Sequence, residues 1–384
     1  MIEREISGKI LSYIQKYPVI TLTGVRQCGK STLLRNLFSD YEYVSLEDVD
    51  IRDFAKEDPR GFLQNYNKPC IFDEIQRVPE LFSYIQTVVD LEGTMGKYIL
   101  SGSNNFLLMQ SVSQSLAGRS AVLNLAPLSI SELAVTDYYT KDVNKLMLKG
   151  FYPAMYSRNM EPCEYFPSYV MTYIERDVRL LRNIPDADSF TRFIRILATR
   201  SGQVVNYADL SKISGVSLPT VKAWLSILEQ SYLIFFLKPY YKNYSKRLVK
   251  SPKLYFYDSG LLCFMLGIET EDQLFGSEYR GAVFESMVVS DCVKSKLFEG
   301  KLPQVYYWRD SNGNEVDLLV EEKGVLKTYE IKSGSTMERK YLSGLKKFAE
   351  ISNEPMSEAT VVFSGEKSYM GQSGNFVRYD ETDW

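Results

Sequence analysis

Gly24-Val25-Arg26-Gln27-Cys28-Gly29-Lys30-Ser31-Thr32 fits the pattern GxxxxGK[ST] of a phosphate-binding loop. The strand-like run Val19-Ile20-Thr21-Leu22-Thr23 precedes it, and the amphipathic stretch from Ser31 to Phe38 follows. That is the strand–loop–helix setting in which the pattern carries meaning. Gly24 and Gly29 let the backbone wrap a phosphate without side-chain clash. The N–H groups of the loop and the helix N-terminus favour an anion. Lys30 can reach the β- and γ-phosphates, and the Ser31 hydroxyl can ligate Mg²⁺. The whole run 24–32 is therefore the candidate nucleotide-binding segment. Cys28 within it reads as a tolerated small residue, although its oxidation would block nucleotide.

Working outward, Tyr43-Val44-Ser45-Leu46 reads as a strand entering Glu47-Asp48, and Pro69-Cys70-Ile71-Phe72-Asp73-Glu74 as a strand ending in two carboxylates. In nucleotide-binding α/β sheets, ligands gather at the carboxyl ends of strands. Asp73 would hold Mg²⁺, and Glu74 would polarise the attacking water. Lys97-Tyr98-Ile99-Leu100-Ser101 is a further strand, ending near Ser103 and Asn104. Asn104 is the first choice, and Ser103 the second, for a group that senses the γ-phosphate or the water. Arg119 precedes the apolar run Ala121–Leu125. It is either a stabiliser of γ-phosphate charge, in cis or from a neighbouring subunit, or an ordinary ion-pair partner.

Composition bounds these readings. The chain has 384 residues, enough for two or three domains, and 45% hydrophobic residues, ordinary for a soluble globular protein. Its net charge of −3 supplies no global field for nucleic acid, so such contact needs a local patch. The absence of histidine excludes Ser-His-Asp and Cys-His catalysis and histidine-ligated metals. The five cysteines form no CxxC pair, which argues against zinc and disulfides and suits a reducing cytoplasm. The start of the sequence does not read as a secretory leader, and no apolar run nears the ~20 residues of a membrane span. A cytoplasmic location with no membrane partner is the expectation.

The set Gly24–Ser31, Asp73-Glu74, Ser101-Gly102-Ser103-Asn104, Gly118-Arg119 and Ala126-Pro127-Leu128-Ser129 resembles the AAA-superfamily ATPases of bacteria and archaea that carry a C-terminal domain of unknown function. Gly150-Phe151-Tyr152-Pro153, Tyr173-Ile174-Glu175-Arg176-Asp177 and Lys253–Gly260 extend the resemblance over nearly the whole chain. It implies an α/β fold opening with an ASCE-type parallel sheet over residues 1–140, and ATP with Mg²⁺ as cofactors. It leaves the biological partner and the oligomeric state open.

Residues 141–205 read as a helical linker or lid. Within it Arg176, Arg179 and Arg182 pair with acids on a surface helix, or one of them approaches the nucleotide. Residues 206–255 suggest a winged helix-turn-helix: a short helix from Asn206, a turn at Gly215, a second helix to Gln230, then a strand. Thr220, Lys222 and Ser226 are its candidate DNA contacts. The segment beyond holds Lys238, Lys242, Lys246, Arg247, Lys250 and Lys253 with Tyr240, Tyr241 and Tyr244 interleaved, a composition suited to phosphates and exposed bases. A structural joint with a solvated basic loop is the competing reading.

Residues 256–384 open with an expected amphipathic helix carrying Glu285, then a hairpin around Asp310–Asn314, then a strand through Glu330-Ile331-Lys332. Asp317 with Glu330 and Lys332 resembles the core of PD-(D/E)xK nucleases, the restriction-endonuclease-like α/β fold. Residues 330 and 332 share one strand face. Asp317, Glu330 and Glu285 could then hold Mg²⁺ beside Lys332. Domains of this fold also serve as docking modules, so the pattern alone does not establish cleavage.

Overall fold

Five parallel strands make the first sheet: β1 (Val19–Gly24), β2 (Glu42–Ser45), β3 (Cys70–Asp73), β4 (Tyr98–Ser101) and β5 (Ser120–Leu125), in the order β2-β3-β4-β1-β5. The computed structural model describes residues 2–103, 105–178, 186–240, 251–352, 356, 359–371 and 374–384. β1 is buried along its whole length, as expected of a parallel sheet covered on both faces. Alternation then sorts its neighbours. Ile20, Leu22, Ile71 and Ile99 enter one core, and Val19, Phe72, Tyr98 and Leu100 another. The order places β4 between the strand that feeds the phosphate loop and the strand that ends in Asp73. Both strands therefore deliver their C-terminal ends to one edge.

The helices between residues 187 and 230 follow the local signals. Asn206 caps the helix Tyr207–Ser214 through the N–H groups of Ala208 and Asp209, and Gly215 ends it at φ +75°. Ser217 caps the helix Leu218–Gln230, with Pro219 in its first turn. Val221, Trp224, Leu225 and Leu228 bury its inner face.

The second sheet has seven strands: β6 (Ile234–Pro239), β7 (Lys253–Phe256), β8 (Val305–Arg309), β9 (Glu315–Glu322), β10 (Val325–Lys332), β11 (Ala359–Phe363) and β12 (Asn375–Arg378). Their order is β12-β11-β10-β9-β8-β6-β7. β6 pairs antiparallel with β7 and parallel with β8, so the strands on either side of the expected boundary at 255/256 share one sheet.

The helix Arg280–Phe298 differs from the amphipathic expectation. It buries Val283, Phe284, Met287, Val288, Cys292 and Val293, and also Ser286, Ser290, Asp291, Lys294 and Lys296. A helix apolar on one face alone would leave such polar residues wet. This one is enclosed because it touches β5 of the first sheet as well as β7 and β10 of the second. One apolar core accordingly runs from Ile20 and Leu125 through Phe166 and Trp224 to Phe284, Val288 and Tyr379.

Candidate functional site

The phosphate loop leaves β1 at Gly24, whose φ is +143°. A Cβ there would stand 1.9 Å from the Leu125 carbonyl oxygen, so only glycine fits. Gly29, at φ +93°, turns the chain into the helix Lys30–Leu37. Between them Gln27 also takes a left-handed backbone, and its Oε1 accepts the Tyr165 hydroxyl at 2.7 Å. Arg26 lies over the Tyr173 ring at 5.7 Å. The region after residue 140 thus touches the tip of the loop. The Lys30 ammonium donates to the carbonyls of Gly24 and Val25 at 2.9 and 2.8 Å. The Cys28 thiol is buried and donates to the Leu125 carbonyl. Lys30, Ser31, Glu74 and Ser103 line one cleft of about 380 Å³ with Arg26 and Arg158. Sequence reasoning did not single out Arg158.

Asp73 closes the site from β3. Its Oδ2 accepts Ser31 Oγ at 2.6 Å and the Tyr43 hydroxyl, and its Oδ1 accepts Ser101 Oγ at 2.5 Å. Burial, and then the Asp73 carboxylate, hold the Tyr43 phenol well above its ordinary pKa, so it stays a donor. The Ser31 hydroxyl and the Asp73 carboxylate are adjacent hard oxygen donors, a set that suits Mg²⁺. Glu74 stands in a left-handed conformation at φ +54°. Its Oε2 accepts Gln76 Nε2, and Ser103 Oγ at 3.3 Å. Gly102 makes room for Gln76, since a Cβ on it would lie 2.0 Å from Gln76 Oε1. Asn104 lies outside the described residues.

Arg119 does not join this cleft in the same chain. It sits at the opposite end of β5, where Val19 pairs with Ser120, while the phosphate loop begins where Gly24 pairs with Leu125. Six strand steps from Arg119 to Leu125 at about 3.3 Å put it roughly 20 Å away. Its guanidinium instead grips Asp90, with Nη2 to Oδ2 at 2.8 Å. The cis role is thereby corrected: within the chain Arg119 is an ion-pair partner, the competing reading, and contact in trans is left open.

Arg4, which carried no signal in the sequence, anchors the site from behind. It donates to Glu132 Oε1 at 3.0 Å, to the Cys28 carbonyl at 2.8 Å and to the Ala126 carbonyl at 2.7 Å. Next to it Lys294 donates to the Leu128 carbonyl at 3.0 Å, and Asp291 accepts the Ile130 N–H at 2.7 Å. Burial pulls the Lys294 pKa down to about 8 against the pull of Asp258 and Asp291.

In the middle region Lys222 lies over the Tyr207 ring at 5.8 Å, Thr220 shares a hydrogen bond with Ser217, and Ser226 accepts Gln230 Nε2. Lys222, Ser226 and Lys238 line a cavity of about 920 Å³ with Tyr207 and Tyr306. Two members of the expected basic segment are corrected. Tyr240 is buried between the Tyr306 and Phe348 rings, and Lys253 is 2% exposed. Lys253 is sealed from a nucleic acid, and Tyr240 reaches only the wall of that same cavity. Tyr241, Lys242, Tyr244, Lys246, Arg247 and Lys250 lie outside the described residues, as do Arg179, Arg182 and the Arg176 side chain.

The C-terminal candidates do converge. Lys332 Nζ lies 2.7 Å from Glu330 Oε1 and 3.5 Å from Asp317 Oδ2. Asp317 Oδ2 also accepts the Ile331 N–H at 2.8 Å. Glu285 accepts the Tyr255 hydroxyl at 2.6 Å. Burial raises the Glu285 and Glu330 pKa values, and Asp317 adds to both, while Lys253 opposes at Glu285 and Lys332 at Glu330. Among the described residues, however, no group of three or more His, Cys, Asp or Glu is arranged to hold a metal ion.

A parallel sheet with a GxxxxGK[ST] loop after β1 and an acidic end to β3 defines a P-loop nucleotide-binding unit of the AAA type. Residues 16–134 match the model of the AAA domain, and this part of the chain is a AAA-type ATPase domain. Residues 140–272 and 280–381 match two models described as domains of unknown function, DUF8612 and DUF4143. The chain belongs to the family of the uncharacterized protein Rv2008c of Mycobacterium tuberculosis (strain ATCC 25618 / H37Rv), to which it is 30% identical over 336 residues, 87% of this chain and 74% of that one. The uncharacterized protein Mb2031c of Mycobacterium bovis (strain ATCC BAA-935 / AF2122/97) matches with the same figures. Among solved structures, the Walker-type ATPase PABY2304 of Pyrococcus abyssi aligns over 69% of this chain and 96% of its own, at 16% identity and a TM-score of 0.48. Among the described residues no helix is long and apolar enough to cross a membrane.

Proposed function

We propose that the chain hydrolyses Mg-ATP and passes its nucleotide state to the helical and C-terminal regions. One observation carries this reading: Lys30, Ser31 and Glu74 face one cleft, and Asp73 is hydrogen-bonded to Ser31. The loop 24–32 cradles the phosphates, and Lys30 leaves the Gly24 and Val25 carbonyls for them. Ser31 and Asp73 would hold Mg²⁺, which supplies positive charge against the phosphates. Glu74 orients water once it gives up Gln76, and Arg119 serves a neighbouring copy. Tyr165 on Gln27 and Arg4 on Cys28 are the contacts that would report loop movement to the rest of the chain.

A second element of the reading is DNA contact through a winged-helix-like unit. It is supported by Lys222, Ser226 and Lys238 sharing one cavity. A nuclease-like role of Glu285, Asp317, Glu330 and Lys332 gains support from their convergence and loses it from the ammonium of Lys253 in their midst.

Phosphate release from Mg-ATP, measured over a protein-concentration series with and without duplex DNA and with Lys30→Ala as the blank, tests the proposal. Turnover above the blank is expected, rising per chain with concentration if Arg119 acts in trans. Turnover equal to the blank with ATP still bound would refute hydrolysis and leave a nucleotide-binding switch.

A further inference from the structure

The carboxylate cluster of the second sheet already contains a cation. Lys253 and Tyr255 lie two residues apart on β7, hence on one face, and both reach Glu285. Lys253 Nζ lies 3.2 Å from Glu285 Oε1 and 3.9 Å from Asp317 Oδ1, and it is in direct contact with Glu315. The Tyr307 ring lies 5.5 Å from the same nitrogen. These acids come from the helix Arg280–Phe298 and from β9, so two elements turn three carboxylates toward one ammonium. Lys332 takes the other side of the cluster, against Asp317 and Glu330. Arg309 adds a contact to Glu315 at 3.4 Å.

A hard divalent ion needs several carboxylate oxygens at once, at distances near 2.1 Å for Mg²⁺. Asp317 and Glu330 are the acids the nuclease pattern would assign to that ion, with Glu285 beside them. Glu285 and Asp317 are engaged by Lys253, which is nearly sealed from water, and Asp317 and Glu330 by the one-third-exposed Lys332. Glu330 Oε2 is buried without a partner, and one free carboxylate oxygen is too few for such an ion. Glu285, Asp317 and Glu315 surround the Lys253 ammonium, whose side chain is 2% exposed. The residues present therefore do not fit a resident metal.

We propose that Lys253 is the built-in cation of this cluster, filling the seat a divalent metal would take, so that the C-terminal sheet is joined to β7 without metal and cleaves no strand by metal chemistry. The inference does not depend on ATP turnover. It rests on where one side chain ends.

Mn²⁺ binding to the full chain without nucleotide, followed by electron paramagnetic resonance, tests it. Asp317→Asn assigns any signal to the cluster rather than to Ser31 and Asp73. Wild type should show no Mn²⁺ that Asp317→Asn removes. Folded Lys253→Ala should bind one additional Mn²⁺ at least about tenfold more tightly than wild type, and adding Asp317→Asn should abolish that gain. A wild-type Mn²⁺ lost on Asp317→Asn would overturn the proposal, as would a folded Lys253→Ala that gains none. If Lys253→Ala does not fold, the wild-type and Asp317→Asn comparison still decides the matter.

Discussion

Replacing Arg4 by Met should destabilise the chain by about 3 kcal/mol, the lower end of the ~3–5 kcal/mol typical when one partner of a buried ion pair is removed. Arg4 is 6% exposed and Glu132 2%. The lower end applies because Glu132 keeps two backbone donors, from Glu5 at 2.8 Å and Ser129 at 3.0 Å. The carbonyls of Cys28 and Ala126 lose their donor as well. Cys28 lies in the phosphate loop, so ATP affinity should fall about tenfold, near the ~1.4 kcal/mol of one net hydrogen bond. Adding Glu132→Gln removes the stranded charge but turns its amide nitrogen toward the backbone N–H of Glu5 or Ser129, so the double variant should stay within about 1 kcal/mol of the single one. Urea midpoints give the stability, and a fluorescent nucleotide gives the affinity. A single variant within about 1 kcal/mol of wild type would refute the account of Arg4 as a charge-compensated anchor.

Lys294 makes stability depend on pH. Its folded pKa is lowered from 10.5 to about 8, so between those values the unfolded chain binds more protons and stability rises with pH. The rise, on the order of 3 kcal/mol, should be missing from Lys294→Met in unfolding midpoints taken from pH 7.5 to 10.5. Gly24→Ala should abolish ATP binding in a filter assay, because the new methyl meets the Leu125 carbonyl; retained affinity would mean the loop can shift away from β5. Arg119→Ala should leave nucleotide affinity unchanged in dilute protein while lowering turnover in concentrated protein. A loss of affinity at dilution would return Arg119 to its own chain's site.

The sequence disclosed what is local. A phosphate loop is built from adjacent residues, and β3 is an apolar run that ends where its carboxylates begin, so Gly24 to Ser31 and Asp73 could be read without partners. The caps at Asn206 and Ser217 were legible for the same reason. Arg4 was not, because its partner Glu132 lies 128 residues away. Lys253 looked like one more solvated base in a basic segment. Its counter-charges arrive from a helix and a strand much later in the chain, and only their meeting shows that it is buried. Arg119 illustrates the converse. Its neighbours in sequence suggested catalysis, but which end of β5 it occupies follows from strand direction, a property of the whole sheet. The helix Arg280–Phe298 looked amphipathic because its polar residues have partners that sequence does not display.

That helix has a practical consequence. Lys294 and Asp291 close on Leu128 and Ile130, while Glu285, further along the same rod, closes on Tyr255. The boundaries of the three matched stretches therefore cut through one shared apolar core. Residues 16–134 expressed alone would leave Leu123 and Leu125 of β5 without the helix that lies against that strand, and would strand the Ile130 N–H. Dissection at family boundaries should give sticky, poorly folded fragments, and mixing fragments cut there should restore solubility only when the helix is supplied intact.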